Sequence, residues 1–275
     1  MRTMTIAFTT IMLALFSSYA VAQNEFGFAL CNVDGLYDTI PSPFYNDTDY
    51  TPEGRLGWNR ERYERKVRQV AAVLDSLAMP VVVLSGVENE DVVRDVVLNC
   101  KNDYSYIHRT LGSFDGLDFA LLYFGDLLVP QHIDSDRRSM VVEARVGNSD
   151  FAFILCNRAR NIDDIVERVR DKEPDVHVVV AGDLRDTGFE RFGFRDATAA
   201  AESAGRGNAL YRNGWRMFDR VAVDDSLEAV CEVYGRRWLL DRKGAPAATF
   251  EGRLYKGGLG RRLPIYGRIR VNKRK

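Results

Sequence analysis

Three histidines, His108, His132 and His177, are all the imidazoles this chain offers for acid–base work near neutral pH. His177 falls inside an apolar run and is expected to be a satisfied core residue, while His132 follows a short apolar run and carries no motif. Carboxylates that could gather a cation are more numerous, among them Asp34, Asp47, Asp49, Glu88, Asp118 and Asp186. Four cysteines, Cys31, Cys100, Cys156 and Cys231, have no C-x-x-C spacing, which argues against a zinc site. They permit two disulfides with three connectivities, or thiols buried as small hydrophobes in runs such as FGFALCN and FAFILCN. From Arg261 to Lys275 seven basic residues occur without an acid, and Arg268 to Lys275 read as a basic, solvated tail.

The elements that must position these groups are legible from patterning. The 275 residues are 46% hydrophobic, enough for a sizeable core, and 38 bases against 39 acids give no whole-chain case for nucleic acid or membrane binding. Residues 1–22 combine Arg2, an apolar stretch from Thr5 to Phe16 and Ala20-Val21-Ala22. That is the pattern of a secretory signal peptide cut before Gln23. The competing reading is a membrane anchor, but the apolar run falls short of the roughly 20 residues a span needs. An exported protein, periplasmic or extracellular and without a membrane span after cleavage, is therefore expected. Residues 23–275 show no repeat or linker and read as one domain.

Apolar β-branched and aromatic runs predict strands over Phe26–Val33, Val81–Leu84, Phe119–Phe124, Met140–Val146, Phe151–Leu155 and Val176–Ala181. Several are apolar nearly throughout, as strands covered on both faces are. Asn59 is placed to cap a helix with apolar residues at helical spacing, ending before Pro80. Asn161 is placed to cap IDDIVERVRDK, and a third helix is expected over Asn89–Cys100. The irregular interleaving predicts a layered α/β sandwich with much antiparallel pairing.

Several stretches, in order along the chain, resemble the endonuclease/exonuclease/phosphatase superfamily, and among its members the bacterial exported branch. CNVDGLYD (Cys31 to Asp38) is similar to F-N-V-E-N-L-F-D, and TPEGRLGWNRERYERK (Thr51 to Lys66) to T-P-E-G followed by W-x-x-E-R-Y-x-x-K. DGLDFALLY (Asp115 to Tyr123) resembles G-x-D-x-A-L-L-Y, and AGDLRD (Ala181 to Asp186) stands where the family has G-D-F-N-D. NGWRMFDRVAV (Asn213 to Val223) resembles G-x-W-x-M-L-D-x-I-x-V, and YKGGLGRRLPIY (Tyr255 to Tyr266) resembles Y-x-G-G-x-S-D-H-x-P-V-Y. The resemblance implies a deoxyribonuclease I-like fold, a layered α/β sandwich of two mixed, largely antiparallel sheets flanked by helices, and metal-assisted phosphoester hydrolysis.

The implied machinery is only partly present. Asn32 matches the first-strand Asn and Asp183 the Asp of G-D-x-N. The metal-binding Glu falls on Gly86, with Glu88 and Asn89 two and three residues later. The strand-end His should lie near Cys156 or Asn157, the second Asn is Arg185, and the closing Asp-His is Arg261-Arg262. Arginine neither ligates a cation nor acts as a base. Three guanidiniums in one cleft would oppose a divalent ion by several kcal/mol at an effective dielectric of about 20. Loss of the imidazole forfeits a factor of about 10² to 10⁴.

The reading is a catalytically inactive member whose Arg185, Arg261 and Arg262 bind phosphate or other anions, with Asn32 and Asp183 as the retained catalytic positions. No cofactor is expected, and phosphorylated or polyanionic ligands, nucleic acid included, are the partners such a cleft would take. Three other readings stand beside it. One is an active Mg- or Mn-dependent nuclease or phosphodiesterase with a rearranged site. Another is an interaction protein with an idle cleft. In the third, the arginines only pair with Asp183, Asp186 and Asp219 as a structural ion network.

Overall fold

The computed structural model describes residues 25–158, 162–185, 189, 193–212 and 214–272. The signal segment 1–22, Asn161, Asp186, Asn213 and Lys273 to Lys275 lie outside the described residues.

Strand runs with bulky apolar residues on both faces need cover on both faces, and the chain supplies it by pairing two sheets back to back. The first sheet is built from β1 (Glu25–Leu36), β2 (Val81–Val87), β3 (Tyr104–Arg109), β4 (Asp118–Phe124), β13 (Leu227–Val233) and β16 (Ile265–Val271). Its order is β13-β16-β1-β2-β4-β3. The second comprises β5 (Leu128–Ser135), β6 (Ser139–Val146), β7 (Ser149–Cys156), β8 (His177–Asp183), β9 (Phe194–Asp196) and β12 (Asp219–Asp224), ordered β5-β6-β7-β8-β12-β9. The pairs β1–β2 and β7–β8 are parallel and the other neighbours antiparallel. Two short ribbons, β10 (Ala209–Tyr211) with β11 (Gly214–Arg216) and β14 (Phe250–Glu251) with β15 (Leu254–Tyr255), sit in the connections.

Alternation along each strand distributes the core. Phe26, Phe28 and Leu30 of β1 point between the sheets, where they meet Phe151, Phe153 and Leu155 of β7. Ala29, Cys31 and Val33 point the other way, onto α1 (Arg60–Leu77) and α2 (Glu90–Asn99). Likewise Ala152, Ile154 and Cys156 face α3 (Ile162–Lys172), while α4 (Ala199–Ser203) is a single turn near β13. Asn59 caps α1 by accepting from Arg62 N at 3.1 Å, and Asn89 caps α2 by accepting from Val92 N at 2.9 Å. The order of layers is helix, sheet, sheet, helix. Among the described residues no helix is long and apolar enough to cross a membrane.

Two expectations are revised. Residues 268–271, read as the start of a basic tail, belong to β16, which runs between β13 and β1. Ile265 and Ile269 are fully buried, whereas Arg268 and Arg270 point outward to Glu25 and Glu228. High arginine content masked a period-2 strand. His177 opens β8 rather than lying within it, half-buried against Phe151 and hydrogen-bonded to Ser226 Oγ at 2.6 Å. The four cysteines are unbridged, three of them buried.

Gly182, just before Asp183, has φ +147° and packs on the end of β7 so closely that a Cβ would lie 1.9 Å from the Cys156 carbonyl oxygen. Gly182→Ala should destabilise the fold by at least ~3 kcal/mol in urea denaturation. Gly125→Ala, where the nearest atom would be 3.5 Å away, should cost less than about 0.5 kcal/mol.

Candidate functional site

The strand ends that meet at one edge of the sandwich open into a cleft of ≈ 580 Å³. Its floor is Asn32 at the end of β1's regular pairing, Gly86 of β2 and Asp183 at the last position of β8. A register shift between Asn32 and Leu36 breaks the β1–β2 ladder there. The Asn32 side chain closes the irregularity by accepting from Asp34 N at 3.0 Å, and Asp34 and Gly35 take φ +52° and +76°. That kink turns Asp34 into the cleft. Beneath it the fully buried Lys66 of α1 donates to the Gly35 carbonyl at 2.9 Å. Burial lowers the Lys66 ammonium to about 8, against the pull of Asp34.

Asp183 and Asp219 are direct partners across the β8–β12 ladder. Two like charges placed opposite one another are unfavourable unless a cation joins them. The Arg262 guanidinium does so, donating to Asp183 Oδ2 at 2.8 Å and, through its other terminal nitrogen, to Asp219 Oδ1. Arg185 grips Asp183 in a fork, with Nε to Oδ1 at 2.8 Å, and lies 3.9 Å above the Phe218 ring. Asn208 donates to Asp219 Oδ2 at 2.7 Å and accepts from Phe218 N, and Asn32 Nδ2 approaches Asp219 Oδ1 at 3.4 Å. Burial alone would raise the Asp183 carboxyl, but the two arginines hold it below the usual range. Asp219, only 1% exposed, is raised by its burial, with Arg262 opposing.

Arg261 pairs with Asp34 through Nε at 3.0 Å and its terminal nitrogen at 2.9 Å, and overcomes the burial that would raise that carboxyl. Its side chain is nonetheless 75% exposed. The three sequence-derived arginines thus all have carboxylate partners, and Arg185 and Arg262 are the deeply committed ones. Three further arginines, Arg137 and Arg138 on the β5–β6 turn and Arg158 after β7, line the cleft. They are exposed and, among the described residues, hold no ion pair. Arg158 follows Asn157 where the resemblance wants a histidine, and its N–H donates to the Asp183 carbonyl at 2.8 Å.

The histidines stand apart from this edge. His108 contacts Asp118 at 3.2 Å inside the protein, His132 lies exposed on β5, and His177 is at the opposite end of β8 from Asp183. Gly86 does line the cleft, at φ +87°, but brings no carboxylate. Glu88 does not replace it: 2% exposed, it accepts from Tyr45 OH at 2.9 Å and Asp38 N at 2.6 Å, away from the cleft. Among the described residues no group of three metal-ligating side chains converges. A divalent ion wants several hard oxygens with net negative charge. Here the two facing carboxylates already carry two guanidiniums, so these residues do not fit such an ion.

A model of the endonuclease/exonuclease/phosphatase family matches residues 27–157, from β1 through β7 and including Asn32 and Gly86. That match and the shared fold support placing the chain in the endonuclease/exonuclease/phosphatase superfamily. The sandwich is its deoxyribonuclease I-like fold. A truncated Caenorhabditis elegans TDP2 superposes with TM-score 0.60 at 15% identity, over 90% of this chain and 98% of that one. A Bacteroides vulgatus endonuclease/exonuclease/phosphatase gives 0.58 at 14%, covering 90% and 99%. D. rerio TDP2, in complex with a single-strand DNA product, gives 0.56 at 15%, covering 90% and 99%. Among curated proteins none matches the sequence.

Asp219, Asn208 and Lys66 belong to the site although the sequence marks none of them as a site residue, and Asp34 enters it from among the candidate cation-gathering carboxylates. Asp34, Lys66 and Asp219 all stand within matched motifs, and Asp219 is also an ion-pair partner in the network reading. Asn208 has no motif around it; its place follows from Leu263 N donating to its carbonyl across a connection of more than fifty residues.

Burial drives the Glu88 carboxyl up to about 7 from an ordinary value of 4.5, with the Asp38 N–H opposing and the Asp38 charge adding to the rise. A pKa raised in the folded state favours folding at low pH, and that contribution is lost as pH rises through about 7. Melting curves between pH ~5 and ~8 should therefore show wild type losing stability relative to Glu88→Gln as pH increases.

Proposed function

We propose that this protein is an exported, catalytically silent member of its superfamily whose cleft binds a phosphate-bearing or otherwise anionic ligand. The observation that carries this reading is the Arg262 guanidinium lying between Asp183 and Asp219. A fixed monocation there consumes the carboxylates that hydrolysis would need, and no imidazole stands within the cleft to activate water. The residual charge is positive: with Asp34 paired to Arg261 and Asp183 to Arg262, Arg137, Arg138 and Arg158 outnumber Asp115, the remaining cleft acid among the described residues. Guanidinium forks suit phosphate oxygens. D. rerio TDP2 holds a single-strand DNA product on the same fold, which makes a short single strand the appropriate probe. Within this reading Arg261 is the member of the original trio that reaches ligand, while Arg185 and Arg262 hold the floor together. Export rests on the signal-peptide pattern of residues 1–22.

A second reading, an idle cleft serving as an interaction scaffold, is favoured by the pairing of Arg185, Arg261 and Arg262 with carboxylates.

Mature protein with Mg²⁺ or Mn²⁺ should leave plasmid DNA, RNA and bis-nitrophenyl phosphate intact. Metal-dependent turnover that disappears in Asp183→Ala would overturn catalytic silence. Fluorescence titration with a short labelled single strand should show binding that weakens with salt. Arg137→Ala/Arg138→Ala should weaken it about tenfold and flatten the log–log salt slope by roughly 1.4. Absent binding, or binding indifferent to that pair and to Arg158→Ala, leaves the scaffold reading.

A further inference from the structure

We infer that Arg262 is the resident cation of the Asp183–Asp219 pair, a tethered guanidinium whose removal would open the pair to a divalent ion. The inference builds on the catalytic-silence reading and says which single side chain enforces it.

The placement of Arg262 is set by backbone, independently of its charge. Ala209 and Arg262 form an isolated antiparallel bridge, Leu263 N donates to the Asn208 carbonyl at 2.7 Å, and Gly260 N donates to Ala247 at 3.0 Å. The side chain issues from that anchored turn and spans two carboxylates on adjacent strands, with its guanidinium 5.5 Å from the Phe218 ring. Both carboxylates are held by other groups. Asp219 is kept in place by Asn208 and Asn32, and Asp183 by its position in β8 and by the Asn157 side chain accepting from its N–H at 3.0 Å. Taking away the guanidinium therefore leaves the oxygens where they are, without a charge between them.

Charge then decides what enters. The two carboxylates and the guanidiniums of Arg185 and Arg262 balance to zero, so a divalent ion would arrive at a neutral site with its oxygens already occupied. Neutralising Arg262 leaves one net negative charge and removes one donor from an oxygen of each carboxylate, while Arg185 still forks Asp183. Removing Arg185 as well leaves two, the complement of a divalent ion bound by hard oxygen ligands. Ion affinity should therefore rise in the order wild type, Arg262→Gln, Arg185→Ala/Arg262→Gln.

The test is Mn²⁺ binding by electron paramagnetic resonance, with thermal melting in Mn²⁺ and in EDTA, on the mature chain. Wild type should bind no Mn²⁺ and melt identically in both. Arg262→Gln should melt lower in EDTA and recover by at least ~5 °C in Mn²⁺, with a larger recovery in the double variant. Adding Asp219→Asn to Arg262→Gln should abolish the recovery. A variant unfolded in EDTA but folded in Mn²⁺ supports the inference equally. Wild type that binds Mn²⁺ as the variants do, variants that ignore Mn²⁺, or variants unfolded in both would overturn it. Variants that ignore Mn²⁺ leave wild-type catalytic silence standing, since that is read separately in the phosphodiester assay.

Discussion

Asp183 and Asp219 face each other on neighbouring strands, both largely removed from water, and two ionised carboxylates cannot share such a position without a positive charge between them. In this protein the charge comes from the chain itself. Arg262 bridges the pair, Arg185 grips its exposed side, and Asn32 and Asn208 supply the remaining donors. Truncating one partner of such a buried group leaves the others uncompensated, a loss of about 3–5 kcal/mol in comparable buried pairs. The network ties the ends of β1, β8 and β12 to the connection before β16, so the cleft floor and the closure of the sandwich depend on the same contacts.

The consequence for chemistry follows from what a guanidinium is. It carries one charge that cannot be titrated away and offers donors only. It can satisfy two carboxylates at once, but it can neither polarise a phosphoryl oxygen as a divalent ion does nor take a proton from water. On the proposed reading, a cleft with such a floor keeps the shape of a phosphoester-hydrolysing site without its reactivity. What remains chemically available is the upper wall, where Arg137, Arg138 and Arg158 stand free of ion pairs among the described residues. Unpaired arginines around a concave surface are a device for holding anions.

Much of the architecture could be read from residue patterning because strands and helices are local periodicities. The run from Phe26 to Val33 is apolar on both faces, and the structure uses both, one against β7 and one against α1. Asn59 caps a helix where its spacing to the apolar positions says it should, and a further helix runs within the expected 89–100 segment. The errors have equally local causes. β16 carries arginines on its outward face, so its inward isoleucines were hidden within a basic segment. His177 sits beside valines in the chain, yet it is the first residue of its strand, where the sheet edge meets solvent.

Sequence alone determined which side chains stand at the motif positions. No histidine stands at either motif position, Gly86 replaces a carboxylate, and Arg185, Arg261 and Arg262 replace an amide and an acid–base pair. Those are facts of composition at a position, and folding cannot alter them. Tertiary structure decided what the replacements do. Arg262 lies 43 residues from Asp219 and 79 from Asp183, and Asp34 is 227 residues from Arg261. Whether a guanidinium in a cleft awaits a ligand or neutralises a carboxylate depends on which side chains the sheets bring within about 3 Å. That proximity is a property of strand register, and register is set by burial of the whole core rather than by any local run of residues.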